Sequence, residues 1–154
     1  MPANTAKIKK EALNWMGELA IIHTDGKSTN NAYSLIELYA TKEGEVPWHI
    51  HHREDESFYV IDGEMSFYIG DKVYKASAGD FVFAPKGIPH RYTVDSPGHV
   101  RVLMTFSPSG FENFIRATST PAESMTPPKP APIEMDFEEL AGKAAEYGAE
   151  FVDM

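Results

Sequence analysis

From Gly17 to Ser107 the chain alternates short apolar-rich segments with clusters of turn formers. ELAIIHT (18–24) gives way to DGKSTNN, and AYSLIELYA (32–40) gives way to TKEGEVP. WHIHH, ESFYVI, EMSFYI, DKVYKA, DFVFA, HRYTV and VRVLMTF then follow in quick succession. Asp62-Gly63, between ESFYVI and EMSFYI, predicts a tight two-residue hairpin. Gly70-Asp71, Ala78-Gly79, Pro85-Lys86-Gly87 and Ser96-Pro97-Gly98 mark further turns. Many short strands at this spacing, with no helical period between them, predict an all-β sandwich or barrel.

After Pro108 the period changes. Ser109 and Glu112 have capping-box spacing, and Phe111, Phe114 and Ile115 fall on one helical face. The stretch PAESMTPPKPAPI (121–133) is too rich in proline for a regular helix and reads as a surface connector. Asp136 and Glu139 form a second capping box. Phe137, Leu140, Ala141, Ala144 and Tyr147 follow at amphipathic spacing, and Gly148 ends the run. The predicted organisation is an N-terminal arm (1–16), a β-barrel (17–108) and a C-terminal helical segment (109–154) containing the 121–133 connector. No internal repeat is present, so each motif occurs once.

The 154 residues suffice for one domain with a real core. The chain has no cysteine, which excludes disulfides and thiolate metal sites and leaves His, Asp and Glu as ligands. The formal charge of −9 argues against nucleic acid, whose phosphates need a basic surface. Much of that charge is local, because residues 134–154 hold seven acids and the single Lys143. The start, MPANTAKIKKEALNW, has no apolar signal core, and no run reaches the roughly 18 apolar residues of a membrane span. The expectation is a soluble, cytoplasmic protein without nucleic-acid or membrane partners.

Candidate chemistry concentrates in PWHIHHREDESFYVIDG (47–63). If WHIHH is a strand, His49 and His51 leave one face ~7 Å apart while Trp48, Ile50 and His52 leave the other. Such a pair can converge on one ion, although most His-x-His pairs are ordinary surface or core residues. Glu56 shares a face with Phe58 and Val60, where a carboxylate is costly unless it binds a cation or hydrogen bonds. Glu54 and Asp55 fall in the connecting turn and read as solvated acids. The second half of a metal site would come from GDFVFAPKGIPHRYTV (79–94), where His90 opens the next strand. His23 and His99 lack comparable context and read as non-ligands.

These two stretches resemble the motifs of the cupin superfamily. In the first, His49, His51, Glu56 and Gly63 match the spacing, with Gly44 one residue closer to His49 than usual. In the second, Gly79, Pro85, Gly87 and His90 match, while Val94 stands where the pattern often has Asn. The resemblance implies a cupin-type jelly-roll β-barrel, here with short C-terminal helices. It also implies a metal held by His49, His51, Glu56 and His90. PWHIHHREDESFYVIDGE, GDFVFAPKGIPHRY, SPSGFENFIR and the late AAEYG are further similar to the quercetin 2,3-dioxygenase-like branch, over residues 15–150.

That branch implies one divalent first-row ion (Fe, Mn, Ni, Co, Cu or Zn) and dioxygen acting on a flavonol or similar enol-bearing aromatic. Glu56 would be ligand and base for the substrate hydroxyl proton, its basicity raised by desolvation. Strand parity nominates Tyr39, Phe58, Val60, Tyr92, Met104 and Phe106 for the substrate pocket. The same cage also suits an isomerase or lyase, or a cupin that binds a small ligand without turning it over. Cupins of this size usually pair, so a homodimer is expected, reached through residues 5–24 or the 121–133 segment.

Overall fold

Alternation of side chains decides the architecture. In DESFYVID every second residue is apolar or carries candidate chemistry, and Glu56, Phe58 and Val60 are buried while Tyr59 between them is exposed. The computed structural model describes residues 7–44 and 46–154. Its strands are β1 (Glu11–Trp15), β2 (Glu18–Thr24), β3 (Ser34–Ala40), β4 (His49–His51), β5 (Asp55–Asp62) and β6 (Glu64–Ile69). They continue as β7 (Lys72–Ser77), β8 (Phe81–Ala84), β9 (His90–Val94), β10 (Val100–Ser107), β11 (Ser119–Pro121) and β12 (Ala149–Phe151). The helices are short: α1 (Gly26–Thr29), α2 (Glu112–Ala117) and α3 (Phe137–Glu146).

The strands form two antiparallel sheets, of order β11-β1-β2-β3-β10-β5-β8 and β12-β4-β9-β6-β7. Their apolar faces meet in one core, an all-β jelly roll. Phe58 from the first sheet and Phe67 from the second bring their rings to 4.7 Å. Ile36, Leu38, Met65, Val102 and Phe106 fill the space around them at 2% exposure or less. Each such side chain contributes about 1.5–3 kcal/mol on burial.

Two turns differ from the sequence reading. Asp62-Gly63 is not a hairpin, since β5 belongs to the first sheet and β6 to the second. It is a corner at which the chain changes sheets. Gly63 takes φ +94°, and a Cβ there would stand 2.6 Å from Val100 Cγ2, so the corner admits no side chain. The hairpin that the dipeptide pattern does not announce lies at Met16-Gly17, where Trp15 pairs with Glu18. Both central residues have positive φ, +52° and +79°, as a type I′ turn requires. Methionine gives no hint of this, because Asn or Asp normally fills that position.

The two ends of the chain also enter the sheets. Residues 11–15, within the stretch read as an arm, form β1 and pair with β2 along their whole length. β11 and β12 come from the stretch read as helical and connecting. β11 extends the first sheet beside β1, and β12 pairs with β4, placing Ala149 opposite His51 and Phe151 opposite His49. In α3 the Asp136 cap accepts the Glu139 N–H at 3.1 Å, and Gly148 follows at φ +80°. The Ser109–Glu112 box does not form. Instead the buried Glu112 carboxylate accepts from Gly110 N–H and Gly26 N–H, tying α2 to α1. The proline-rich stretch lies over the chain's own sheets, with Pro128 O accepting from His99 Nε2–H at 2.9 Å. No helix among the described residues is long and apolar enough to cross a membrane.

Candidate metal centre

Four residues from three strands meet between the sheets. β4 supplies His49 and His51 and β9 supplies His90, directly opposite His49 in the register. β5 of the facing sheet supplies Glu56. One nitrogen from each imidazole and one Glu56 oxygen all lie within 4.8 Å of one another. Glu56 Oε1 is 3.1 Å from His51 Nε2 and 3.0 Å from His90 Nε2. His51, Glu56 and His90 are buried, while His49 is half-buried toward the open side.

The other nitrogen of each ring is already committed. His49 Nδ1 donates to Pro47 O at 2.8 Å, His51 Nδ1 to Glu54 Oε1 at 2.9 Å, and His90 Nδ1 to Ile88 O at 3.4 Å. Oxygen acceptors on every Nδ1 turn every Nε2 inward, which is how metal-binding histidines are held. Three imidazole nitrogens and a carboxylate oxygen suit a borderline first-row divalent ion. The donor set and its outer support fit such an ion, and these four residues could hold it.

Glu54 is the residue the sequence reading misses. It reads as a solvated turn acid, yet it is 2% exposed and its carboxylate faces His51. The alternation of β5, extended back by one step, would have included it: Glu54, Glu56, Phe58 and Val60 are all buried. Asp55 points away and accepts the Lys86 N–H at 2.8 Å. Among the remaining histidines, His23 pairs with Glu37 and His52 with Glu150, both away from the cluster.

The electrostatics correct one expectation. Burial does push the Glu56 carboxyl up, but hydrogen bonds from His51 and His90 outweigh it and hold the group down to about 2. Burial pushes His51 down, and Glu54 and Glu56 together outweigh that and raise it to about 9. His49 has weaker support, from the Glu56 charge and the Pro47 carbonyl. Burial first, then the neighbouring imidazoles, push it to about 3. The pole formed by Glu54, His51 and Glu56 therefore favours a positive charge.

Above the cluster is a cavity with about 800 Å³ of empty space, counting its open mouth. Its walls are mainly apolar and come from distant parts of the chain: Trp15 and Met16 at the first hairpin, Phe106, Phe111, Phe114, and Phe151 of β12. Of the residues nominated for this pocket, Tyr92, Met104 and Phe106 line it. Phe58 and Val60 sit in the core beneath, at 1% and 0% exposure. Tyr39 is on the outer face of β3, with the Arg101 guanidinium 5.7 Å from its ring. Ile36, Leu38 and Ala40 take the inner face, so Tyr39 is out of phase with it. Glu18 lines the cavity and was not anticipated.

The fold and site can be set beside known proteins. A family model described as a cupin domain matches residues 35–106. Over 137 residues the chain is 26% identical to a quercetin 2,3-dioxygenase of Bacillus subtilis, covering 88% of this chain and 40% of that protein. It therefore spans less than half the length of this relative. Over 123 residues it is 28% identical to an acireductone dioxygenase of Tuber melanosporum, covering 66% of this chain and 70% of the relative. Among solved structures, an RmlC-like cupin from Shewanella frigidimarina aligns with a TM-score of 0.54 at 20% identity, over 70% of this chain and 89% of that one. That likeness concerns the fold alone, and it agrees with the two-sheet topology. Residues 35–106 of the chain belong to the cupin domain family.

Proposed function

We propose that the protein is a metal-dependent dioxygenase acting on a small, flat, enol-bearing molecule, of which a flavonol is the model. The observation that supports this reading is the set of three inward Nε2 atoms and Glu56 at the floor of an aromatic-walled cavity. His49, His51, Glu56 and His90 would hold one divalent first-row ion. When bound, such an ion supplies Lewis acidity and, for a redox-active metal, a route for electrons to dioxygen. With the ion bound, the His51 and His90 Nε2 atoms would coordinate it instead of donating to Glu56, and that carboxylate would be the acceptor for the substrate's hydroxyl proton. The aromatic walls orient a planar ring system and keep water from it.

Likeness to an acireductone dioxygenase over most of that relative's length favours a second substrate within the same reaction class, a compact enediol. Non-oxidative isomerase or lyase chemistry, or ligand binding alone, would use the same cage without oxygen. A homodimer completes the proposal and is checked by sedimentation velocity. Oxygen uptake with a flavonol and an acireductone, after loading with each metal in turn, tests the activity. Uptake with at least one metal is expected. Stoichiometric metal without uptake on either substrate would sink the oxygenase reading.

A further inference from the structure

Glu18 opens β2 immediately after the Met16-Gly17 turn, and its carboxyl enters the same cavity as the metal-site cluster without belonging to that cluster. It is 8% exposed. Among the described residues no Lys, Arg or His forms an ion pair with it. Its Oε2 accepts the Thr41 N–H at 2.7 Å. The 41–44 loop closes against it so tightly that a Cβ on Gly44 would stand 2.7 Å from the same oxygen. Met16, a non-glycine residue held at φ +52°, completes the turn that presents it.

A buried carboxyl without a cation is costly, and chains retain such groups where they act. Burial pushes Glu18 up to about 7, against the pull of the Thr41 N–H, so near neutrality it is in part a carboxylic acid able to donate as well as accept. Apart from Tyr92, which lies within reach of both Glu18 and Glu56, the rest of the wall is apolar and includes Trp15, Met16, Phe114 and Leu140. The cavity thus has two polar poles, the histidine cluster and Glu18.

We propose that Glu18 is a second ligand anchor, hydrogen-bonding one oxygen of a flat aromatic molecule while the His49, His51, Glu56 and His90 cluster holds another. This rests on the reading of the cavity as a substrate site. The site then selects molecules oxygenated at two positions over matched molecules with one. A role confined to capping Thr41 would leave that selectivity untouched.

Calorimetric titration of the zinc-loaded full chain, which is redox-silent, with a naphthol and the matched dihydroxynaphthalenes tests the anchor. At least one dihydroxy probe should bind about tenfold tighter than the naphthol, the worth of one good hydrogen bond. Glu18→Leu should bring that ratio near one and leave naphthol affinity within about twofold, whereas Glu18→Gln should keep most of the ratio. Glu18→Met replaces the leucine variant if that does not fold. An unchanged ratio in the apolar variant, no preference in the wild type, or no binding of either probe overturns the anchor. The oxygen-uptake assay stands apart: a collapsed ratio without uptake keeps the anchor and removes the oxygenase reading, and the reverse result does the opposite.

Discussion

Glu54 makes no direct approach to the centre of the cluster, yet metal affinity should depend on it. Its carboxylate holds His51 Nδ1–H at 2.9 Å, with both side chains 2% exposed. Glu54→Ala leaves that N–H without a partner in a dry site and frees the ring to turn. Glu56, 3.1 Å from the other ring nitrogen, is the competing acceptor. A buried hydrogen bond to a charged group is worth about 1.5–3 kcal/mol. All of that reaches metal binding if the ring's orientation is what Glu54 provides, so affinity should fall roughly 10- to 100-fold. Glu54→Gln keeps an acceptor and loses the charge, and should fall between wild type and alanine. Competition with a chromogenic chelator measures the affinity. The visible spectrum of the cobalt-loaded form reports ligand geometry, and thermal unfolding of metal-free protein shows that the fold is intact. Alanine-variant affinity within about twofold of wild type, with an unaltered cobalt spectrum, would refute the argument.

Three further outcomes follow from particular contacts. His90→Ala should lose the bound metal, because it removes an inward Nε2 3.0 Å from Glu56; metal analysis showing full occupancy would exclude His90 as a ligand. Glu18 lies at about 7 in the folded chain against an ordinary 4.5, so the folded form holds its proton over a range where the unfolded chain has released it. Its contribution to stability relative to Glu18→Gln is therefore full below about pH 4.5 and falls by roughly 3 kcal/mol by pH 7; parallel urea-unfolding profiles for the two proteins would exclude that burial effect. Gly63→Ala should destabilise by about 1–3 kcal/mol in denaturant unfolding, since it puts a Cβ at positive φ and 2.6 Å from Val100; a loss below measurement error would mean the corner relaxes.

Which residues can form the centre is local information. His49 and His51 share a strand face because side chains alternate, and Glu56 is marked by its place in register with Phe58 and Val60. His90 is marked by opening a strand after a turn. The same rule reaches Glu54 only if the alternation of β5 is carried one step past the strand's end. It misplaces Tyr39, because Leu35 and Tyr39 make that face of SLIELYA look apolar although Glu37 shares it with them. The strands from β2 to β10 were legible for the same reason.

Partnership was not. A dipeptide such as Asp62-Gly63 specifies that the chain turns, but whether the next strand pairs with the last or crosses to the other sheet depends on β8, β9 and β10, which lie far along the chain. The walls of the cavity have the same character. Trp15 and Met16 near the start, Phe111 and Phe114 of the α2 region and Phe151 near the end carry no mutual signal in sequence. They meet because β11 and β12 add to opposite sheets and draw both ends of the chain over the open side of the barrel. Short-range alternation therefore singled out His49, His51 and Glu56 as candidates, and the motif resemblance completed the set with His90. Long-range strand pairing, which buries the apolar ends of the chain against one another, decided the cavity those ligands face.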